Sequence, residues 1–432
     1  MKRGIAVAAG AALLALAALY LAVPGLYLAL PGAVTVPPSV LMTATGPSDL
    51  FGRLLSRDAV LSKIAEAHRH GMAAMAYTAA YAAPPEFGRQ HPTWGLYDAM
   101  GQPIMFGDDF LGIMNPTSGS PWSAHILGEY RKIVTDLPFD GVHIDQYGEP
   151  RFGFAYPGGS EATTVDVASA LAALIDATKA AVGPNHAVMF NDVGGWPLED
   201  TAPTQGDAVY IEVWPPYVHF EHLHQLIADG RRLSGGKPVI LAAYIDPASE
   251  PSVLLTDAVI FASGGYHLEL GEGDAMLADP YFPKYRRLSA GLRDQLRRYY
   301  DVAVRYQDLL YGPGLTDWNP DVTVQGSQVL VGGYYNGVWA LGRQDGAYRA
   351  LSLINLNGLD SAAWKEPRTQ GPTILERRRV TVAMKERPRA VYAIDPDGPD
   401  QSPRPVPFTY QDGAVSLTLE RLAYWSILAF EN

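Results

Sequence analysis

Phe139-Asp-Gly-Val-His-Ile-Asp145-Gln-Tyr-Gly148 reads as a short apolar strand that ends on a carboxylate and runs into a glycine turn. A second stretch, Asp207-Ala-Val-Tyr-Ile-Glu212-Val-Trp-Pro-Pro216, repeats the pattern. Around these two the chain alternates between helical and extended patterns. Arg57 to Gly71 carries Val60, Leu61, Ile64 and Ala67 at helical spacing, with Gly71 as its stop. A short strand follows, Ala73-Ala-Met-Ala-Tyr77. Further strands are predicted at 141–147, 186–193, 208–214, 237–245 and 258–263, with helical stretches between several of them. The clearest helix covers 162–182 and stops at Gly183-Pro184. Near-continuous apolar strands separated by helices imply parallel strands covered on both faces. The predicted class is therefore α/β, with a closed (β/α) barrel of the TIM type as the leading architecture and a doubly wound sheet as runner-up. No glycine-rich phosphate loop follows any strand, which weakens a nucleotide-binding reading.

Beyond a long Arg- and Tyr-rich helix over about 284–310, the pattern changes at Tyr311-Gly-Pro-Gly314. Val329-Leu-Val, Val338-Trp-Ala-Leu, Ala350-Leu-Ser-Leu-Ile-Asn, Val391-Tyr-Ala-Ile and Ala414-Val-Ser-Leu-Thr-Leu are short strands between Gly, Pro, Asp and Asn clusters. They predict a C-terminal antiparallel β-sandwich. The expected division is an N-terminal segment over 1–32, a barrel domain over 33–315 and a sandwich over 316–432. The barrel is expected to be abbreviated at its first strands, because residues 33–56 offer at most Val34-Thr-Val36 and Ser39-Val-Leu-Met-Thr43.

At 432 residues the chain exceeds one small core, and 48% apolar content supports a globular fold. A net charge of −12 argues against nucleic acid as a partner, since phosphate binding wants a basic surface. With no cysteine, disulfides, thiolate metal sites and a Cys nucleophile are excluded. Met1-Lys2-Arg3 precedes an uncharged apolar run from Gly4 to about Leu30. That run is longer than the usual signal-peptide core and long enough to span a bilayer. The expectation is a membrane anchor, or else a cleaved signal, and either one exports the remainder.

The two strand ends carry the chemistry. Side chains alternate along a strand, so His143, Asp145 and Tyr147 share one face, and Tyr210, Glu212 and Trp214 share another. An unpaired buried carboxylate costs several kcal/mol, so two of them among aromatic residues call for a use. Glycosidic bond cleavage needs such a pair, one group to attack and one to protonate the leaving oxygen. Polar neighbours, His143 and Gln146, favour an ionised Asp145, and Trp214 beside Glu212 favours a raised carboxyl pKa there. Asp145 thus reads as nucleophile, with Glu212 as general acid and then base. The competing reading of either carboxylate alone is a helix cap or an ion-pair partner. His143-Ile-Asp145 also has the look of a metal pair, but no second His/Asp cluster with ligand spacing supports it. Neither a metal nor a cofactor is expected.

Taken in order, the motifs resemble glycoside hydrolase family 66, the dextranases and cycloisomaltooligosaccharide glucanotransferases. The resemblance runs from about Gly71 to the end. It rests on Met75-Ala-Tyr77 with Tyr81-Ala-Ala83, Phe139–Gly148, Phe190-Asn191-Asp-Val-Gly-Gly195 and Tyr210-Ile-Glu212-Val-Trp-Pro215. It continues through Gly264-Gly-Tyr-His-Leu-Glu-Leu-Gly271, Tyr281-Phe-Pro283, Arg298-Tyr-Tyr-Asp301 and Leu353-Ile-Asn-Leu-Asn-Gly358 with Trp364. The resemblance implies a retaining mechanism on α-1,6-linked glucan, with Asp145 matching the nucleophile and Glu212 the acid/base. It places Asn191 beside the nucleophile, where a loop-capping amide is the alternative. Tyr77, His143 and Glu269 become candidates for sugar hydroxyl contacts, with core packing as the alternative for each. Trp214 either stacks on a sugar face or shields Glu212. The family's N-terminal β-domain has no room here, and Thr78 stands where its pattern has Asn. The expected partner is a poly- or oligosaccharide. A transglycosylase on the same scaffold and a non-catalytic carbohydrate-binding envelope protein are the alternatives.

Overall fold

The computed structural model describes residues 56–432, apart from 108, 157–160, 272–273, 279–284 and 313. The N-terminal apolar run, the two short strands expected before residue 44 and the Tyr281-Phe-Pro283 motif lie outside the described residues. Among the described residues, no helix is long and apolar enough to cross a membrane.

The chain divides into two compact units, interleaved in sequence. The first comprises the residues up to Val213 together with 230–242 and 270–272, and the second comprises 214–229, 243–269 and 273–432. The boundary expected at 315 falls inside the second unit.

The first unit opens with α1 (Arg57–Arg69), capped by Ser56, whose Oγ accepts from Ala59 N–H at 3.1 Å. Its Val60, Ile64 and Ala67 recur at helical spacing and are buried. Strand β1 (Met75–Ala79) follows, then α2 (Pro121–Asp136), β2 (Gly141–Asp145), α3 (Val167–Val182), β3 (Ala187–Val193), β4 (Ala208–Glu212) and β5 (Val239–Ala242); α4 (Phe220–Leu233), which lies between β4 and β5 in sequence, belongs mostly to the second unit. The five strands pair in parallel in chain order, β1 to β5. Helix α2 fixes the end of β1. Ser120 caps it, and its buried Trp122 and Tyr130 donate to the carbonyls of Ala80 and Ala79 at 3.0 and 2.9 Å. Each such side chain removed from water contributes about 1.5–3 kcal/mol, so this helix pins the strand end and the loop beyond it.

Among the described residues the expected closed barrel is not formed: β1 stands at the edge of their open sheet. The mixed α/β class holds, with one parallel sheet and several antiparallel ones. The strand expected at 258–263 is a correction. Those residues lie almost entirely in α5 (Glu250–Ala262), where every side chain from Pro251 to Ala262 is buried. A helix that is apolar all round has no amphipathic period to betray it, so its short runs imitate a buried strand.

In the second unit, α6 (Ala290–Arg305) replaces the single helix expected over about 284–310, and a separate turn of helix, Gln307–Leu310, follows it. Beyond it come β6 (Val322–Val324), β7 (Val338–Gln344), β8 (Tyr348–Asn355), β9 (Leu375–Ala383), β10 (Ala390–Ile394), β11 (Phe408–Gln411), β12 (Ala414–Leu422) and β13 (Trp425–Glu431). One antiparallel sheet runs β7–β8–β13–β10 through its centre, and another runs β6–β9–β12–β11. One apolar cluster takes Leu351, Leu353, Leu428 and Phe430 from the first and Val380, Val382, Val415 and Leu417 from the second. Strand β9 was not expected, because Glu376-Arg-Arg-Arg379 masks an alternation that resumes only at Val380.

Candidate active site

Parallel strands present their C-terminal ends together, and ligands bind there in open α/β sheets. Asp145 is the last residue of β2 and Glu212 the last of β4. The strand between them, β3, carries Asn191, paired in register with Tyr210. Its amide Nδ2 donates to Asp145 Oδ1 at 2.7 Å and lies 3.2 Å from Glu212 Oε2. A single buried side chain therefore bridges the two carboxylates. From β1, the Tyr77 hydroxyl donates to Asp145 Oδ2.

Asp145 is buried. Burial first, and then the neighbouring Glu212 carboxylate, push its carboxyl up to about 7, against the opposing pull of Tyr77, Asn191 and the Gln146 backbone N–H. Those three donors favour the ionised form of Asp145 and limit the rise. Two neighbouring carboxyl groups, one of them raised toward neutrality, are suited to acid–base chemistry.

His143 lies one alternation below Asp145 on the same face. Its ring packs edge-on against Tyr77 at 5.5 Å and Tyr210 at 4.5 Å between centroids. Complete burial drives its pKa down to about 3, so the imidazole is neutral. Tyr77, His143, Asp145, Asn191 and Glu212 are thus brought together within the first unit. Trp214 belongs to the second unit and is half-buried. Glu269, also in the second unit, is fully buried and accepts from the Tyr300 hydroxyl at 2.9 Å.

Sequence reasoning assigned Gln146 to the charge of Asp145. Its side chain instead ties the loop after β2 to the neighbouring strand, donating to the carbonyls of Asn191 and Trp196 at 3.1 and 3.0 Å. Tyr81 donates into the same knot, on Gln146 Oε1 at 3.1 Å or the Glu149 carbonyl at 3.0 Å. Phe106 stacks on Tyr147 at 4.3 Å just past Asp145. Asp192, next to Asn191, is buried; it accepts from Thr201 Oγ1 at 2.6 Å, and burial raises its carboxyl to about 8. Only adjacency to Asn191 hinted at it.

The chain has counterparts among known proteins. The profile of "Glycosyl hydrolase family 66" matches residues 40–429. The chain belongs to glycosyl hydrolase family 66. Curated relatives of this family 66 protein include a cycloisomaltooligosaccharide glucanotransferase from Niallia circulans, 23% identical over 88% of this chain and 55% of the relative. A dextranase from Streptococcus salivarius is 24% identical over 71% of this chain and 44% of the relative. The chain therefore spans about half the length of these curated relatives. Among solved structures, a Paenibacillus cycloisomaltooligosaccharide glucanotransferase complexed with cycloisomaltoheptaose superposes with a TM-score of 0.80. That alignment is 20% identical and covers 88% of this chain and 76% of the other. The overall fold of the family 66 protein is thereby shared with that enzyme.

Proposed function

We propose that this family 66 protein is an exported, retaining glycoside hydrolase acting on dextran-like, α-1,6-linked glucan. One observation carries the reading: Asn191 Nδ2 reaches both Asp145 Oδ1 and Glu212 Oε2, at 2.7 and 3.2 Å. One nitrogen bonded to both keeps the nearer carboxylate oxygens within about 6 Å of each other, a closeness that supports the short spacing of a retaining pair over the wider one that an inverting enzyme needs for its water. The names of the relatives supply the substrate class.

In the first step, an Asp145 oxygen attacks the anomeric carbon as the bond to the glycosidic oxygen breaks. Glu212 passes its proton to that departing oxygen, leaving a glycosyl ester on Asp145 and a Glu212 carboxylate. In the second step, water attacks the same carbon and gives its proton to Glu212, and Asp145 departs as a carboxylate. Asn191 and Tyr77 stabilise Asp145 whenever it is charged. If a sugar hydroxyl replaces water in the second step, the same residues perform transglycosylation, which the glucanotransferase relatives favour as the second reading. Export rests on the apolar run from Gly4 to about Leu30 behind Lys2 and Arg3.

Incubation of the full chain with dextran, alongside Asp145→Ala, tests the assignment by product chromatography. Isomaltooligosaccharides of retained α configuration, absent with the variant, are the expected result. Products of inverted configuration would overturn the retaining mechanism, and binding without turnover would overturn the enzyme. Cell fractionation tests export: recovery in the cytoplasmic fraction would overturn it.

A further inference from the structure

We infer that Asp257, His267 and Glu269 form a divalent-cation site inside the second unit. Asp257 lies on α5, whereas His267 and Glu269 follow within the next dozen residues, and all three side chains are completely buried. Each offers one ligand atom, and these atoms lie within 4.8 Å of one another.

The tautomer of His267 is decided by its surroundings. Nε2 sits 2.9 Å from the Ala243 carbonyl oxygen, which can only accept, so Nε2 carries a hydrogen. Nδ1 then points at the carboxylates, 2.6 Å from Asp257 Oδ1 and 3.4 Å from Glu269 Oε2. A backbone carbonyl that orients a histidine with its other nitrogen turned toward acidic groups is the usual outer shell of a metal ligand. Tyr300, donating to Glu269 Oε1 at 2.9 Å, orients the second carboxylate in the same manner.

Two buried oxygens remain. Asp257 and Glu269 lie close enough for one carboxyl, when protonated, to donate to the other; apart from that contact, Asp257 Oδ2 and Glu269 Oε2 have no hydrogen-bond partner among the described residues. Protonating His267 would place its Nδ1 hydrogen on Asp257 Oδ1 at 2.6 Å, with Glu269 Oε2 farther off at 3.4 Å, and would still leave Asp257 Oδ2 unserved, at a cost of about 1–3 kcal/mol or more. A divalent cation would satisfy both oxygens and cancel the charge of two carboxylates around a neutral imidazole. One nitrogen and two carboxylates favour zinc or manganese over calcium or magnesium, which prefer all-oxygen sets. A site this closed is filled during folding, when the ligands are still open to solvent.

The test is elemental analysis of the full chain, expressed in medium containing zinc and manganese and purified without chelator. About one equivalent of one of these metals per chain is expected, falling about tenfold or more in both Asp257→Asn and His267→Gln. Because a variant can fail to fold, the unaltered protein carries the decision, supported by refolding with and without zinc. Zinc should be taken up and the thermal midpoint should rise. Metal below about a tenth of an equivalent in the unaltered protein, with no uptake on refolding, would overturn the site and leave a proton-sharing network in its place.

Discussion

Tyr77 and Asp145 stand on neighbouring strands two residues out of step, and the tyrosine hydroxyl closes that gap by donating to Asp145 Oδ2. In register, Tyr77 faces His143, and Ala79 faces Asp145. The long phenol therefore reaches along the strand, over the buried imidazole, to the carboxylate at the strand end. A residue expected to touch sugar is placed to set the charge of Asp145.

Tyr77→Phe should leave the fold intact and remove a donor that holds the Asp145 pKa down. A hydrogen bond to a charged group is worth about 1.5–3 kcal/mol, or about 1–2 pH units. The acid limb of the kcat/KM profile should move upward by about that amount, with the rate at neutral pH falling about 10–100-fold. An unmoved limb would separate Tyr77 from the ionisation of Asp145.

Asn191→Ala should lower turnover more than it weakens substrate binding, because it removes the donor shared by both carboxylates. A loss of about 10²–10³ in kcat with KM within about threefold is expected. Asn191→Asp, which keeps the shape and adds a third negative charge, should be worse at neutral pH and should recover in part as the pH falls. Equal losses in the two variants at every pH would indicate a purely steric role.

Asp145→Asn should abolish hydrolysis and stabilise the protein at neutral and higher pH. Folding raises the Asp145 carboxyl from 3.8 to about 7, so its stability contribution is full below 3.8 and is lost as pH rises to about 7. The amide titrates nowhere in that range. The variant's advantage in thermal midpoint should therefore be absent near the lower value, grow between the two and level off above the upper one. A constant advantage across the range would mean that Asp145 does not carry the strain.

Gly141→Ala should damage both stability and activity. A Cβ there would stand 2.0 Å from the Ala187 carbonyl oxygen, on the strand that pairs with it. Backbone cannot yield as a flexible side chain does, and a loss of about 2–3 kcal/mol in unfolding free energy is expected. Because β2 would be forced away from β3, the Asp145–Asn191 contact should weaken and kcat should fall alongside stability. Normal stability would show that the strands can part without cost.

Much of this protein was determined by local sequence. Period-two and continuous apolar runs marked β1 to β5, helical spacing and the Gly71 stop marked α1, and an acidic residue closing each of two strands marked Asp145 and Glu212, because burying such a residue without use is costly. The order of the motifs was enough to indicate family 66. Tertiary structure decided the rest. Helix α5 is buried on every side, so its apolar residues carry no period to tell helix from strand. The open sheet that the described residues form, in place of the expected barrel, depends on long-range pairing, which no local pattern encodes. Asn191 as the bridge, Tyr77 as the donor to Asp145, and Gln146 as a tie between loops follow from registers between strands far apart in sequence. Asp257, His267 and Glu269 converge differently: a helix and the segment just after it bury three side chains together, at spacings that match no linear motif.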